Sequence, residues 1–455
     1  MKNIHRLGLL LLLNSLTVTG QNSSEWEKWI KTNSYGLSLS DTNNYQDLTF
    51  LKQVLKDKKI VFLGENSHGV SEFTTLKSRM IRFLHDSLGF DVLAFESNLG
   101  DAYYANAKIT TTDNQTSVYN ALSSLWHVEE IVPLFNYIRS TQHTSNPLTL
   151  SGVDFIGSNG SYSFSWLLYD LMNVSDPDYA KKISETDSSV TRRLVRGWTM
   201  DSLLSKEEIV SGRKKKDEWL SFYSNLQDYL NKNESKFDEN KKQDLKLAIY
   251  CIQDRIDCIH WALRDSTYMA NKLSECRNVQ QMTVSKLWDK YRDFKMAEHL
   301  NFLYSELYKG KKIIVWAQDS HIAKRKCHLA VGSTYAKDAY TIAFRSYSGK
   351  GCYVMSKASE KSKPTRPVYK FKTPTDSLSV ERIMHTAGNK VLFVDMLHQN
   401  KSTGNSWMFE KSKWTQWSGN AVDEETNIRE LFDGFILIDK ISPPHYLKFD
   451  YEYLK

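Results

Sequence analysis

Along this chain, short runs of β-branched and aromatic residues alternate with stretches in which apolar positions return every three or four residues. The clearest runs are Ile60 to Leu63, Val92 to Phe95, Leu148 to Val153, Ile313 to Ala317, Tyr340 to Tyr347, Val391 to Asp395 and Phe435 to Asp439. Several are continuously apolar, as strands covered on both faces are. Strands separated by helical stretches predict an α/β fold with a mostly parallel central sheet, a mixed edge and flanking helices. After the first run, Phe73, Leu76, Met80, Phe83, Leu84 and Leu88 share one helical face. From about Asp176 to Ser305 the strand runs stop, and Leu245, Ile249, Ile252, Ile256 and Ile259 recur at helical spacing. The pattern therefore predicts a core built from residues 21–175 and 306–455, with residues 176–305 as a helical insertion that forms one wall of a cleft.

Composition narrows the class. At 455 residues the chain exceeds one core of ordinary size, and its 41% hydrophobic and 12% aromatic content can offset the conformational entropy lost on folding. Collagen-like, prion-like and proline-rich readings are excluded. The formal charge of +7, from 60 Lys and Arg against 53 Asp and Glu, is spread along the chain and argues against a nucleic-acid partner. The densest basic cluster, Arg213 to Lys216, is closed by Asp217 and Glu218 and reads as a solvated helix face. At the other extreme of polarity, Lys2 and Arg6, the apolar run Leu7 to Leu13 and the exit Val18-Thr19-Gly20 predict a signal peptide over residues 1–20. That run is too short to span a bilayer, and no Cys follows Gly20 to carry a lipid. The expectation is an exported protein, periplasmic or secreted, with no membrane anchor after cleavage. Cys251, Cys258, Cys276, Cys327 and Cys352 make no disulfide framework. The first two lie about 10.5 Å apart along a helix, too far to bridge. An odd count leaves a free thiol, and no C-x-x-C pair supports a structural zinc site.

Candidate chemistry gathers at predicted strand ends. The first run leads into Gly64-Glu65-Asn66-Ser67-His68-Gly69 and then the helix, which places a carboxylate and an imidazole where ligands of open α/β sheets bind. Glu96 follows the second run, Asp154 the third, and Gln318-Asp319-Ser320-His321 the fourth. Two neighbouring parallel strands would bring Glu65 and Glu96 together. An imidazole held between carboxylates has its tautomer fixed and its basicity raised, which suits a general base near neutral pH. Each residue also has a plainer reading. Ser67 or Ser71 caps the helix, Glu72 favours its first turn, Glu96 pairs with a lysine, the tryptophans pack in the core, and His260 and His299 are ordinary helical histidines. Four strand ends delivering Glu65 with His68, Glu96, Asp154 and His321 nevertheless form a constellation that points to a site. No G-x-S-x-G, H-E-x-x-H, Walker A or G-x-G-x-x-G string is present, which disfavours the corresponding hydrolase, zincin and nucleotide chemistries.

With these residues in view, the chain resembles the erythromycin esterase family of macrolide-ring hydrolases. The resemblance is carried in order by Gly64-Glu65-Asn66-Ser67-His68 with Glu72-Phe73, by Gly89-Phe90 through Phe95-Glu96, and by Gly152-Val153-Asp154. It continues with Arg292-Asp293-x-x-Met296-Ala297-Glu298, the strand into His321, Ser346-Tyr347-Ser348-Gly349 and Phe432-Asp433-Gly434. It implies an esterase that opens a lactone with an activated water, His68 as general base, Glu65 and Glu96 orienting base and water, and His321 steadying the water or the oxyanion. It implies further that Lys77, Glu72, Asp154, Gln318, Arg292 and Trp126 face the substrate, and that acidic walls suit a protonated amino sugar. No cofactor is implied; the two imidazoles and the carboxylates leave a metal ion open. The partner that the resemblance implies is a small ester or lactone, such as a macrolide. Two departures stand out. Gln318-Asp319-Ser320-His321 replaces a usual His-Asn-x-His string, and Lys77 occupies a position where the family often has Arg. Two alternatives follow, an iron, haem or small-ligand binding protein of related fold, and a hydrolase of a non-macrolide ester.

Overall fold

The computed structural model describes residues 24–40, 42–154, 163–173, 176–194, 206–274, 282–324, 335–352, 367–371, 373–411, 413–416, 420–423 and 427–448. The predicted signal peptide and the Ser/Lys-rich stretch 357–363 lie outside the described residues. In chain order the strands are β1 (Tyr35–Gly36), β2 (Ile60–Leu63), β3 (Phe90–Asn98), β4 (Thr149–Asp154), β5 (Lys312–Trp316), β6 (Ala339–Cys352), β7 (Val368–Lys370), β8 (Val391–Asp395), β9 (Lys413–Gln416), β10 (Asn420–Asp423) and β11 (Gly434–Ile441).

Every one of the seven apolar runs is a strand. The main sheet runs β1-β8-β11-β6-β2-β5-β3-β4, with β7 paired to β6 and β9-β10 forming a separate hairpin. From β11 to β4 neighbours are parallel, whereas β8, β1 and β7 add antiparallel edges. This is the mixed α/β architecture that the pattern predicts.

Alternation along the strands explains why the runs are apolar throughout. Ile60, Phe62, Val92, Ala94, Ile313 and Val315 enter one core, and Val61, Leu63, Leu93, Phe95, Ile314 and Trp316 enter another on the opposite face. The second core is closed by helix α1 (Ser71–Leu88), which ends at Gly89 in the left-handed conformation, φ 67°. The first is closed by helices that follow β4, namely α2 (Pro177–Leu194), α3 (Lys206–Lys232), α4 (Lys242–Ala262), α5 (Ser266–Lys272) and α6 (Val284–Phe302). No strand occurs among the described residues between β4 and β5. Leu245, Ile252 and Ile259 of α4 share their core with the sheet, so these helices lie on the sheet face and are not a separate globule. Arg213, Lys214 and Lys215 are exposed on α3, and Cys251 and Cys258 are buried free thiols of α4. Among the described residues no helix is long and apolar enough to cross a membrane.

The strand order corrects one expectation. β2 and β3 are not neighbours, because β5 pairs with both and lies between them. The loop that follows β5, with a short helix α7 (Asp319–Ile322), is thereby inserted between Glu65 and Glu96.

Candidate active site

Leu63 pairs in register with Trp316, and Phe95 with Trp316 in turn, so the chain leaves β2, β5 and β3 at one level of the carboxyl edge. The turn after β2 is held close. A Cβ at Gly64 would lie 1.9 Å from Asp319 Oδ1, and Gly69 has φ 71° with the Cys352 carbonyl against its α-carbon. α1 then begins without a side-chain cap at Val70; Ser71 Oγ donates to Glu130 and Ser67 Oγ meets the Tyr369 hydroxyl. The serines are therefore not capping groups.

Glu65 is saturated by donors. Oε1 lies 2.6 Å from His68 Nδ1 and accepts from Trp126 Nε1 at 3.3 Å. Oε2 accepts from Lys77 Nζ at 2.6 Å and from Trp316 Nε1 at 3.2 Å. Burial works to raise its pKa, but Lys77 and His68 outweigh that and hold it below the ordinary carboxylate value. An ionised Glu65 accepts the Nδ1–H of His68, which leaves the basic lone pair on Nε2. Trp126 stands edge-on to the imidazole with centroids 5.3 Å apart.

A second cluster is centred on Glu96. Its Oε1 receives Arg292 Nη2 at 2.7 Å and lies 3.2 Å from His321 Nε2, and its Oε2 accepts the Gln318 backbone N–H at 2.8 Å. Arg292 also donates to Asp154 Oδ2, from Nη2 at 2.8 Å. Asp293, the next residue on α6, binds His321 Nδ1 at 2.6 Å. Burial works to raise Glu96, yet His321, Arg292 and then His68 hold it well below the ordinary range. His68 acts on this carboxylate too, less than His321 and Arg292 do. Burial alone would lower His321, but Glu96 and Asp293 outweigh it and push it up to about 9. The ring is thus an imidazolium at neutral pH. Although Arg292 Nη1 lies 3.1 Å from His321 Nε2, both nitrogens of that ring carry protons, and Arg292 is a neighbouring cation there, not a donor.

This cation has a pH signature. Its folded value exceeds the ordinary one, so its contribution is complete below about 6.5 and is lost as pH rises through about 9. Turnover is expected to fall across that upper limb, and a rate profile to pH 10.5 for the parent and His321→Gln checks it. A limb unchanged in the variant would assign it to another group.

Several residues expected to face a substrate do something else. Lys77 is wholly enclosed, with its ammonium over the rings of Trp316 and Phe344, because position 77 lies on the sheet-facing stripe of α1. Trp126 is buried and donates to Glu65. Asp154 is fully buried against Arg292. Glu72 accepts from the Ser442 N–H and hydroxyl beyond β11. Glu96 serves His321 and Arg292, and it is Glu65 that binds Nδ1 of His68. Arg292 and His321, each 12% exposed, Asp293 at 10% and His68 at 9% keep some solvent contact. The acidic wall expected for an amino sugar is neutralised, since Glu65, Glu96 and Asp154 all have cations in place. Asp319, buried beside Arg345, is pushed up to about 6 by burial despite the Arg345 and Lys77 charges. Among the described residues, no group of three or more His, Cys, Asp or Glu is placed to hold a metal ion. Residues that sequence reasoning left out include Trp316, legible as the aromatic end of β5, and Asp293, adjacent to Arg292. Tyr369 gives no such signal.

A family model described as Erythromycin esterase matches residues 85–441, a range that begins beyond His68. The chain is 28% identical over 458 residues to the Bacillus subtilis protein YbfO, which carries a hydrolase name, covering 96% of each. It is 25% identical over 192 residues to the erythromycin esterase type II of Escherichia coli, covering 42% of this chain and 46% of that protein. Among solved structures, a succinoglycan biosynthesis protein superposes with TM-score 0.70 at 19% identity over 93% of this chain and 99% of that one. A variant of the erythromycin esterase EreC in its open conformation superposes with TM-score 0.59 at 16% identity over 92% and 99%.

Proposed function

The chain belongs to the erythromycin esterase family, and from that premise we propose that this hydrolase opens a lactone or related carboxylic ester with a water activated by His68. The observation that carries the reading is the Glu65–His68 contact of 2.6 Å, with Glu65 kept ionised and immobile by Lys77, Trp126 and Trp316. In the proposed reaction, Nε2 of His68 takes a proton from water as the oxygen adds to the ester carbonyl. The tetrahedral intermediate collapses with cleavage of the acyl C–O bond, and the imidazolium returns the proton to the leaving alkoxide. The His321 imidazolium and Arg292, both reached by solvent, would add positive field to the negative charge that develops. No covalent acyl-enzyme is required.

The rival reading of an iron or haem carrier has less support. The carboxylates such a site would use already hold Lys77 and Arg292, and an ion would have to displace them. The substrate class rests on the family relation, so macrolides and simple esters stand as competing substrates. Incubation of purified protein with a panel of both, with and without a chelator, is expected to show products heavier by one water, unaffected by the chelator. A panel with no hydrolysed member would overturn the reading.

A further inference from the structure

We propose that Asn66 is a further catalytic residue, and that its carboxamide forms with that of Gln318 the donor pair that receives the oxyanion of the tetrahedral intermediate. The inference rests on the general-base reading above. Asn66 lies between Glu65 and His68 and is 3% exposed, yet among the described residues neither Oδ1 nor Nδ2 has a partner. Buried polar side chains are almost always hydrogen-bonded, and an exception asks for a cause. The rest of this loop is committed. The Asn66 backbone N–H donates to the Phe344 carbonyl at 3.0 Å, Glu65 holds four donors, Ser67 meets Tyr369, and His68 meets Glu65. The Asn66 carboxamide is the part that the fold leaves unused.

Gln318 offers the second half. It is 5% exposed, its backbone N–H is fixed on Glu96, and its Oε1 accepts from Ser320 Oγ at 2.9 Å. Its Nε2 has no partner among the described residues. Asn66 follows the acceptor, and Gln318 precedes the donor, of one backbone hydrogen bond, Asp319 N–H to the Glu65 carbonyl at 2.9 Å. That bond brings the backbones of the two residues together, in the loops that carry Glu65 and His68 on one side and His321 on the other. Two fixed, buried, uncharged donors suit an oxygen that is neutral in the ester and anionic in the intermediate. They do not compete for the proton that His68 moves. As water adds, the carbonyl π pair moves to that oxygen; as the intermediate collapses, the pair returns and the alkoxide leaves. Neither amide gains or loses a proton.

The test uses the whole chain with p-nitrophenyl acetate and the best ester from the panel. Asn66→Ala is expected to lower kcat on the order of 10²-fold with little change in KM. Asn66→Ser, which keeps a donor, is expected to recover part of the loss, and Asn66→Asp to lose more, since a carboxylate repels the oxyanion. The pH profile of Asn66→Ala should keep its shape, and a phosphonate mimic of the intermediate should lose affinity by the factor lost in kcat/KM. A loss confined to KM, or kcat within twofold of the parent in a folded Asn66→Ala protein, would overturn the proposal. Should Asn66→Ala fail to fold, the same limits apply to Asn66→Asp. Turnover retained in His68→Asn would overturn the general-base reading instead, and with no hydrolysis by the parent both fall.

Discussion

Replacing His68 with asparagine is expected to lower kcat for ester hydrolysis by on the order of 10³–10⁴, with unfolding stability within ~1 kcal/mol of the parent. Asparagine can present an N–H to Glu65 Oε1 where His68 Nδ1 now does, and Glu65 keeps Lys77, Trp126 and Trp316. The local ion pair survives while the proton acceptor is gone. The Glu96 cluster loses only a minor share of its field, because His321 and Arg292 act on that carboxylate more strongly than His68 does. Steady-state rates beside urea unfolding curves of both proteins provide the check. Rates within tenfold of the parent would remove His68 as the base, and a collapse of stability would make it a structural residue.

How much of this was legible in the sequence depends on what each feature is made of. Strands covered on both faces announce themselves as apolar runs, and all seven emerged. The short antiparallel additions did not: Tyr35–Gly36 and Val368–Lys370 are two and three residues long and contain no apolar run to notice. Strand order was hidden for a different reason. β2, β3 and β5 all have the same continuous apolar character, so nothing in the pattern ranks their pairings, and adjacency in sequence is the only guide to neighbours. With β5 between β2 and β3, Glu96 contacts His321 while Glu65 contacts His68. The residues at the strand ends were legible because a polar residue just after an apolar run is conspicuous, but their partners were not, since Arg292 and Asp293 come from α6. Lys77 is the instructive case. Helical spacing from Phe73 and to Met80 and Leu84 puts it in the buried stripe of α1, and a lysine there needs an anion beneath the surface, not a substrate above it.

Changing Lys77 to methionine is therefore expected to affect both stability and catalysis, by about 3–5 kcal/mol in unfolding free energy and at least tenfold in kcat. Methionine fills a comparable volume between Trp316 and Phe344, so the defect is one of charge: Glu65 remains buried with no cation. The pair is asymmetric. Burial lowers the Lys77 pKa even though Glu65 opposes it, whereas Glu65 is held down by Lys77 against its own burial. The lysine is costly to enclose and is retained for what it does to the carboxylate. Without it burial shifts Glu65 upward, toward the neutral acid, which secures Nδ1–H of His68 less well than the carboxylate does. The pH sign follows from the lowered Glu65 value. In the parent, the contribution of the ion pair is present above the ordinary glutamate value and is lost as pH falls through the folded one, so the gap between parent and variant narrows in acid. Urea unfolding at neutral and acidic pH checks this. The double change Lys77→Met with Glu65→Gln separates the two effects, because it removes the buried charge and should regain much of the stability, yet it leaves His68 without an anionic partner and should stay slow. A double variant as active as the parent would mean that Lys77 and Glu65 only hold the fold together and that His68 needs neither.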